Sequence, residues 1–483
     1  MGLPSMRRLP RPDGAQGRGQ QRAGRTPQTT VASLMQSQAL SDIINVTYDG
    51  ESALWLTQEK QRLLDVAGGK AWDDLVLTRG AWVWEKRDRK HYRLRGIMTY
   101  HNTSKKAEIF VPEVDARVRL MCPPGLDGVE SSVALAPQHE ECELKERSDG
   151  YWPAYILKAG GSTKMEVTID ITASKGDLSG LEAAWLTVDY MTYGPHGRTP
   201  MAQDCVLPLK FPTPGPASWR SGEHADTLAI PTHLLCHLDD PVGAVQAYVA
   251  QYAQEGDIIT IGESPLALMQ GRFRHPRGVK PGWVAKFANR WFHPTSSLAT
   301  GCGMQTLIDT TRGGALRIFL AVIAAAICRI FRVRGMFYRL AGPEAALIDD
   351  VTGTLPPYDQ FICLGPARVA ATCEAILQRT GIKCAVVDVN DLSIKTGAVR
   401  VLGRSTGFTD HDDLVMTEAL KPNPAGAIPP TPPAGFSVRG CWRGSPNRGE
   451  SSRPPCVPPR PHAWGLGGPG RGWQQPSPRP AGS

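Results

Sequence analysis

Met165-Glu166-Val167-Thr168-Ile169-Asp170-Ile171 alternates apolar and polar side chains throughout. Period-two alternation puts one face of an extended strand in a core and the other in water. The pattern returns at Leu186, Val188 and Tyr190, and turn signals punctuate the region at Pro123-Pro124-Gly125, Gly160-Gly161-Ser162 and Gly194-Pro195-His196-Gly197. Short alternating strands separated by such turns predict an antiparallel β-sandwich over residues 79–212. Its tryptophans, Trp82, Trp84, Trp152 and Trp185, are assigned to the core. Before it, residues 42–78 read as a helical lead-in. After it, a Pro, Gly and Ser-rich stretch opens a linker over residues 213–241. That linker ends where Asp239-Asp240-Pro241 supplies an acidic cap and a proline at the first helical position. His233, Cys236, His237 and Asp239 could imitate a metal site, but capping already accounts for the acidic pair.

Residues 242–426 change signature to α/β, so the chain reads as an α+β multidomain protein. Asp257 to Ile261 is a buried strand, Ser264-Pro265 a helix cap with its first helical residue, and Gly271 the stop. A short strand at Phe361 to Leu364, a helix to Arg379, Gly381 and a second apolar strand at Ile382 to Val387 predict a βαβ unit. Asp388 then falls at the carboxyl end of a buried strand, where ligands bind in parallel α/β sheets. A second acidic pair lies in Ile348-Asp349-Asp350-Val351-Thr352-Gly353-Thr354-Leu355-Pro356-Pro357. Two carboxylate clusters facing one crevice suit Mg²⁺ or Mn²⁺, hard cations that prefer oxygen. Ser264 opens a helix whose free N–H groups can hold phosphate. Ser296 and Ser297, ahead of Gly301 and Gly303, form either a substrate loop or only a helix cap.

Charge narrows the partners. Residues 1–41 hold six Arg and one Asp (+5), and residues 436–483 hold seven Arg and one Glu (+6), so the net +8 of the whole chain leaves the remainder at −3. This distribution argues against nucleic-acid binding by the core. The Arg-rich, Lys-free first 41 residues suit a transit peptide, plastid before mitochondrial, or simply a disordered extension in a cytoplasmic protein. Residues 427–483 read as a disordered Pro, Gly and Arg-rich tail. The eleven cysteines have no close ligand spacing and are read as reduced thiols. Ile318 to Cys328 is an apolar run between Arg317 and Arg329, too short to span a bilayer, and is read as a buried helix.

From Gly256 to Gly426 the residues resemble the coenzyme F(420)-0:γ-glutamyl ligase family. Gly256-Asp257-Ile258-Ile259 with Gly271-Arg272 looks like its first strand and following Gly-Arg. Leu347-Ile348-Asp349 with Leu355-Pro356-Pro357 looks like its metal segment, and Val387-Asp388-Val389-Asn390 like its second acidic segment. The resemblance is to a divergent branch, from photosynthetic lineages, carrying an added N-terminal β-domain. It implies a GTP-dependent ligase that phosphorylates a substrate carboxylate and joins it to the amine of glutamate, and it makes a homodimer the expected assembly. It implies Asp349 and Asp388 as metal ligands, Asp350 and Asp391 as catalytic groups with Asp359 in reserve, and Gly271, Arg272 and Asn390 at the nucleotide. The chain departs from the pattern at Val389, where the family has a hydroxyl, and at Ala267 and Leu268, where it has Ser and Lys. Two other readings stay open: a noncatalytic nucleotide or metabolite binder whose β-domain recruits a protein, and a metal-dependent phosphohydrolase.

Overall fold

The computed structural model describes residues 75–122, 128–139, 152–195, 197–212, 219–222, 225–294, 296–333, 335–350, 356–389, 399–421 and 434–439; Asp349, Asp350 and residues 434–439 are described by their backbone alone. Two antiparallel sheets form the N-terminal part. One joins β1 (Leu75–Leu77), β3 (His91–Asn102), β7 (Ser162–Ala173) and β5 (Val129–Gln138) in that order, with β2 (Ala81–Arg87) also on β3. The other runs β6 (Tyr155–Leu157), β4 (Ile109–Met121), β8 (Ala183–Gly194) and β9 (Gly197–Pro208).

The alternation in β7 sets the register of its sheet. Met165, Val167, Ile169 and Ile171 are fully buried. Ile169 pairs with Leu94 of β3 and with Val133 of β5, so one apolar row crosses three strands. Facing it are Ala184, Leu186, Val188 and Tyr190 of β8, in the same core. Trp82 and Trp152 are buried there, each indole N–H donating to a backbone carbonyl, Arg79 at 2.9 Å and Val111 at 3.1 Å. Gly96 is required opposite Trp82, because a Cβ there would stand 2.5 Å from the indole ring. Trp84 packs on the edge of this core, and Trp185 points to the other face of β8.

That other face explains why β8 does not alternate in burial. Ala183 and Trp185, with Val206 of β9, pack against Leu268, Phe273, Tyr358 and Phe361 from the C-terminal part of the chain. With both faces covered, a strand loses its polar side.

The C-terminal part is built on a mixed five-stranded sheet. Its order is β10 (Thr227–Pro231), β17 (Ala434–Arg439), β11 (Ile258–Gly262), β15 (Lys383–Val389) and β16 (Val399–Arg404). Only β11 and β15 are parallel. Ile259 and Ile261 of β11 and Cys384 and Val386 of β15 share one core with α1 (Pro241–Tyr248), α2 (Glu263–Met269) and α7 (Val369–Thr380). Ile258, Ala385 and Val387 pack on Met416 and Leu420 of α8 (Asp410–Leu420) on the opposite side. A three-stranded antiparallel sheet of β12 (Phe273–Arg274), β14 (Ile362–Cys363) and β13 (Asp349–Asp350) adjoins a helical group with its own core. That group contains α3 (Trp283–Ala288), α4 (Gly301–Thr310), α5 (Gly314–Ile330) and α6 (Met336–Ala341).

Several expectations are corrected. The strand before α7 and the strand after it do not form one βαβ unit, because β14 belongs to the small antiparallel sheet and the parallel partner of β15 is β11. α2 begins at Glu263 rather than after a Ser264 cap; its N-cap is Gly262 and no side chain caps it. β1 precedes residue 79, and β10 lies within the expected linker. The expected tail contributes Ala434–Arg439 as β17, between β10 and β11. The helix over Ile318 to Cys328 is buried only along Ile318, Ala321 and Val322, while Leu320 and Ile327 are more than half exposed at 54% and 52%. The rest of the lead-in, residues 42–74, and residues 1–41 lie outside the described residues.

Candidate functional site

The strand end at Asp388 adjoins β11, its parallel partner, and not β14. Gly262 pairs with Val387 at the last rung, so the next residues along the chain are Glu263, the first of α2, and Asp388 of β15. Both are half-buried. Asp388 also faces Arg400 across the antiparallel pair with β16. Ser264 follows in the first turn of α2. Two carboxylates and a hydroxyl thus follow within two residues of that last rung. Glu263 was not foreseen, because without the β11–β15 pairing it reads as an ordinary first-turn acidic residue.

A second group of expected residues gathers on the small sheet. Cys363 of β14 pairs with Phe273 on one side and with Asp349 on the other, and Ile362 pairs with Asp350. Asp349 and Asp388 therefore belong to two different sheets. Asp359 lies in a 3₁₀ turn, Tyr358–Gln360, and accepts from the Gln360 amide at 3.1 Å. Asn390 and Asp391 lie outside the described residues. Ser296 accepts from the Leu298 N–H and opens the 3₁₀ turn that contains Ser297, and Thr300 caps α4 through the Gly303 N–H. This is the local geometry of a cap.

Gly271 and Arg272 have partners inside the protein. Gly271 has φ +66, and a Cβ on it would meet the Arg79 guanidinium at 2.9 Å. Arg79 donates to the carbonyls of Asp204 at 3.0 Å, Gly271 at 2.9 Å and Phe273 at 2.9 Å, and its guanidinium lies 4.0 Å over the Phe273 ring. Arg272, 8% exposed, donates to the Gly365 carbonyl and to Glu344 at 3.0 Å. Burial pushes the Glu344 carboxyl up from its ordinary range, and the Arg272 charge opposes that rise.

The His233 cluster resolves into a buried relay. Asp239 can only accept, so His233 Nε2 donates to it at 2.9 Å, and in the neutral ring Nδ1 accepts from the Tyr248 hydroxyl at 2.6 Å. Asp239 also accepts from the Cys236 N–H at 2.8 Å, and Asp240 caps α1 through the Gly243 N–H at 2.7 Å. Burial raises both the Tyr248 hydroxyl and the Cys236 thiol above their usual values. The relay ties the segment before α1 to that helix. Among the described residues, no three His, Cys, Asp or Glu side chains form a group that could hold a metal ion.

Comparison with known proteins bears on the first half of the chain. Residues 76–211 match the family model described as F(420)-0:gamma-glutamyl ligase, N-terminal Ig-like domain. The match falls outside the Gly256 to Gly426 segment that carried the resemblance. It also corrects the view of the β-domain as an addition, since the model describes it as a domain of that ligase. No curated protein matches the chain significantly. Among solved structures, the GAE domain of yeast GGA1 is similar at 13% identity and a TM-score of 0.17, covering 29% of this chain and 96% of that one. The GAE domain of GGA2p from Saccharomyces cerevisiae gives 12% identity and a TM-score of 0.17, covering 29% and 94%. A FixG-related protein from Vibrio parahaemolyticus gives 7% and 0.15, covering 28% and 96%.

Proposed function

We propose that this chain is a nucleotide-dependent C–N ligase related to F(420)-0:γ-glutamyl ligase, joining an amino acid such as glutamate to a carboxylate substrate. The observation that carries the reading is the match of residues 76–211 to that ligase's N-terminal Ig-like domain. The separate resemblance of residues 256–426 to the family supports it from the other half of the chain. In such a reaction the carboxylate takes the γ-phosphoryl group of GTP, GDP leaves, and the glutamate amine displaces phosphate from the acyl phosphate.

The ends of β11 and β15 are where the reading puts the nucleotide's phosphates. Mg²⁺ commonly takes one or two carboxylates and completes its shell with water and phosphate oxygens. Asp388 and Glu263, next after the paired Val387 and Gly262, fit that demand. A cation held there would neutralise charge on the phosphates. Arg272, held by Glu344 and Gly365, orders the segment after α2 rather than reaching for phosphate.

That engagement of Gly271 and Arg272 favours one other reading, a noncatalytic nucleotide or metabolite binder. A melting screen of the full chain with GTP, ATP, Mg²⁺ and Mn²⁺ tests what both readings share. A ligand at about a hundred times its Kd adds about 2.7 kcal/mol. Release of GDP that depends on glutamate and a carboxylate substrate separates the ligase from the binder.

A further inference from the structure

Between Arg317 and Arg329, α5 is apolar all round, which in a soluble protein calls for cover on both faces. One face is covered by the core of the helical group through Ile318, Ala321 and Val322. The other is exposed along Leu316 (68%), Leu320, Ile323, Ile327 and Ile330 (79%), at the spacing of a single helical stripe. The stripe has aromatic neighbours. Trp283 and Phe287 of α3 stand 5.5 and 6.0 Å from Phe319, and Trp291 stands 6.2 Å from Phe287. Trp283 is 69% exposed and Trp291 58%.

The segment that carries this face is strongly basic. Residues 264–343 contain twelve Lys and Arg and one acidic residue, Asp309, a net +11, which leaves the remainder of residues 42–435 at −14. Among the described residues the ion pairs of the segment are Arg272–Glu344, Arg274–Asp309 and Arg277–Asp189. Arg290, Arg329 and Arg332 have no carboxylate partner in that set, and they line an open basin of about 1340 Å³ with Trp291, Ile330 and Tyr338.

We propose that this face docks on an anionic lipid bilayer, with the α5 stripe and the exposed tryptophans in the interfacial layer and the basin arginines on lipid phosphates. Exposed apolar side chains bordered by arginine and tryptophan are what an in-plane interfacial helix requires, and each basic residue near an anionic surface adds to the attraction. A second copy of the chain would bring a second +11 against the first. Nucleic acid would use the arginines but leave the apolar stripe in water. No single helix among the described residues is long and apolar enough to cross a membrane; α4 and α5 are so only as a pair bent by 116°. Met304, Leu307 and Ile308 of α4 are buried in one core with Ile318, Ala321 and Val322 of α5, so the mode proposed is attachment to the surface. The inference stands independently of the ligase reading.

Co-sedimentation of the full chain with phosphatidylcholine vesicles, with and without phosphatidylglycerol, tests it. The expected result is binding to the anionic vesicles about tenfold or more tighter than to neutral ones, weakening with salt. Leu320→Glu with Ile327→Glu should lower that binding about tenfold or more with an unchanged melting temperature, since both positions are exposed. Arg329→Gln with Arg332→Gln should weaken binding and flatten its salt dependence. Absence of binding to anionic vesicles would overturn the proposal. So would self-association abolished by the Leu320 and Ile327 substitutions, or binding to duplex DNA in place of vesicles.

Discussion

Arg79, in the turn between the first two strands, donates to the carbonyl of Gly271 at 2.9 Å, 192 residues later in the chain. Its other two bonds, to Asp204 and Phe273, join β9 to β12 through one guanidinium. Arg79→Met should lower stability by about 2 kcal/mol or more, because three carbonyls lose a charged donor. Gly271→Ala should cost about 1 kcal/mol or more, through its positive φ and the close guanidinium. Urea unfolding checks both. An unchanged midpoint would mean that the two regions do not depend on this contact.

Arg272 distinguishes a structural role from a ligand role. It is 8% exposed and paired with Glu344, and removing one partner of a buried pair typically costs about 3–5 kcal/mol. Arg272→Met should therefore lower the melting temperature of the ligand-free protein. If the residue served only phosphate, the ligand-free melt would not move.

Truncation tests the placement of β17. Ending the chain after Arg439 should leave the mixed sheet with all five strands, whereas ending it after residue 433 removes the strand between β10 and β11. The shorter form should lose stability or fail to fold. Equal melts for the two forms would contradict the assignment of Ala434–Arg439.

Acid should weaken the β-domain through Asp170. The side-chain bond from Arg93, at 2.7 Å, is the main reason its carboxyl lies below the usual range, and His91 adds to it. A depressed folded-state value contributes stability that is present above the unfolded value of about 3.9 and lost as pH falls through the folded value. Asp170→Asn should flatten the fall in melting temperature over that acid window and nowhere else. An identical acid limb in the variant would remove Asp170 from the account.

The β-sandwich was legible because β7 carries its own instruction, six buried residues at every second position. β8 was only half legible, because Trp185 is buried against an element 83 residues on and more, including Leu268 and Phe273. The strand at Ala434–Arg439 was missed for a similar reason. Six residues among prolines and glycines give too short a pattern, and pairing with β10 and β11 decides their state. At the site, Asp388 was correctly put at a strand end, but its neighbour Glu263 depends on which strands pair, which sequence order does not give. The net −3 of the core hid an 80-residue stretch at +11, since averaging over a domain erases local charge.

The most direct test of the proposed ligase is isothermal titration of the full chain with GTP in Mn²⁺, alongside Asp388→Asn. The amide keeps the shape of the carboxylate and removes the charge that a hard cation needs. The account predicts Mn²⁺-dependent GTP binding by the native chain and about tenfold or more weaker binding by the variant, with equal melting temperatures in the absence of ligand. No GTP binding by the native chain, or equal affinity in the two, would contradict it.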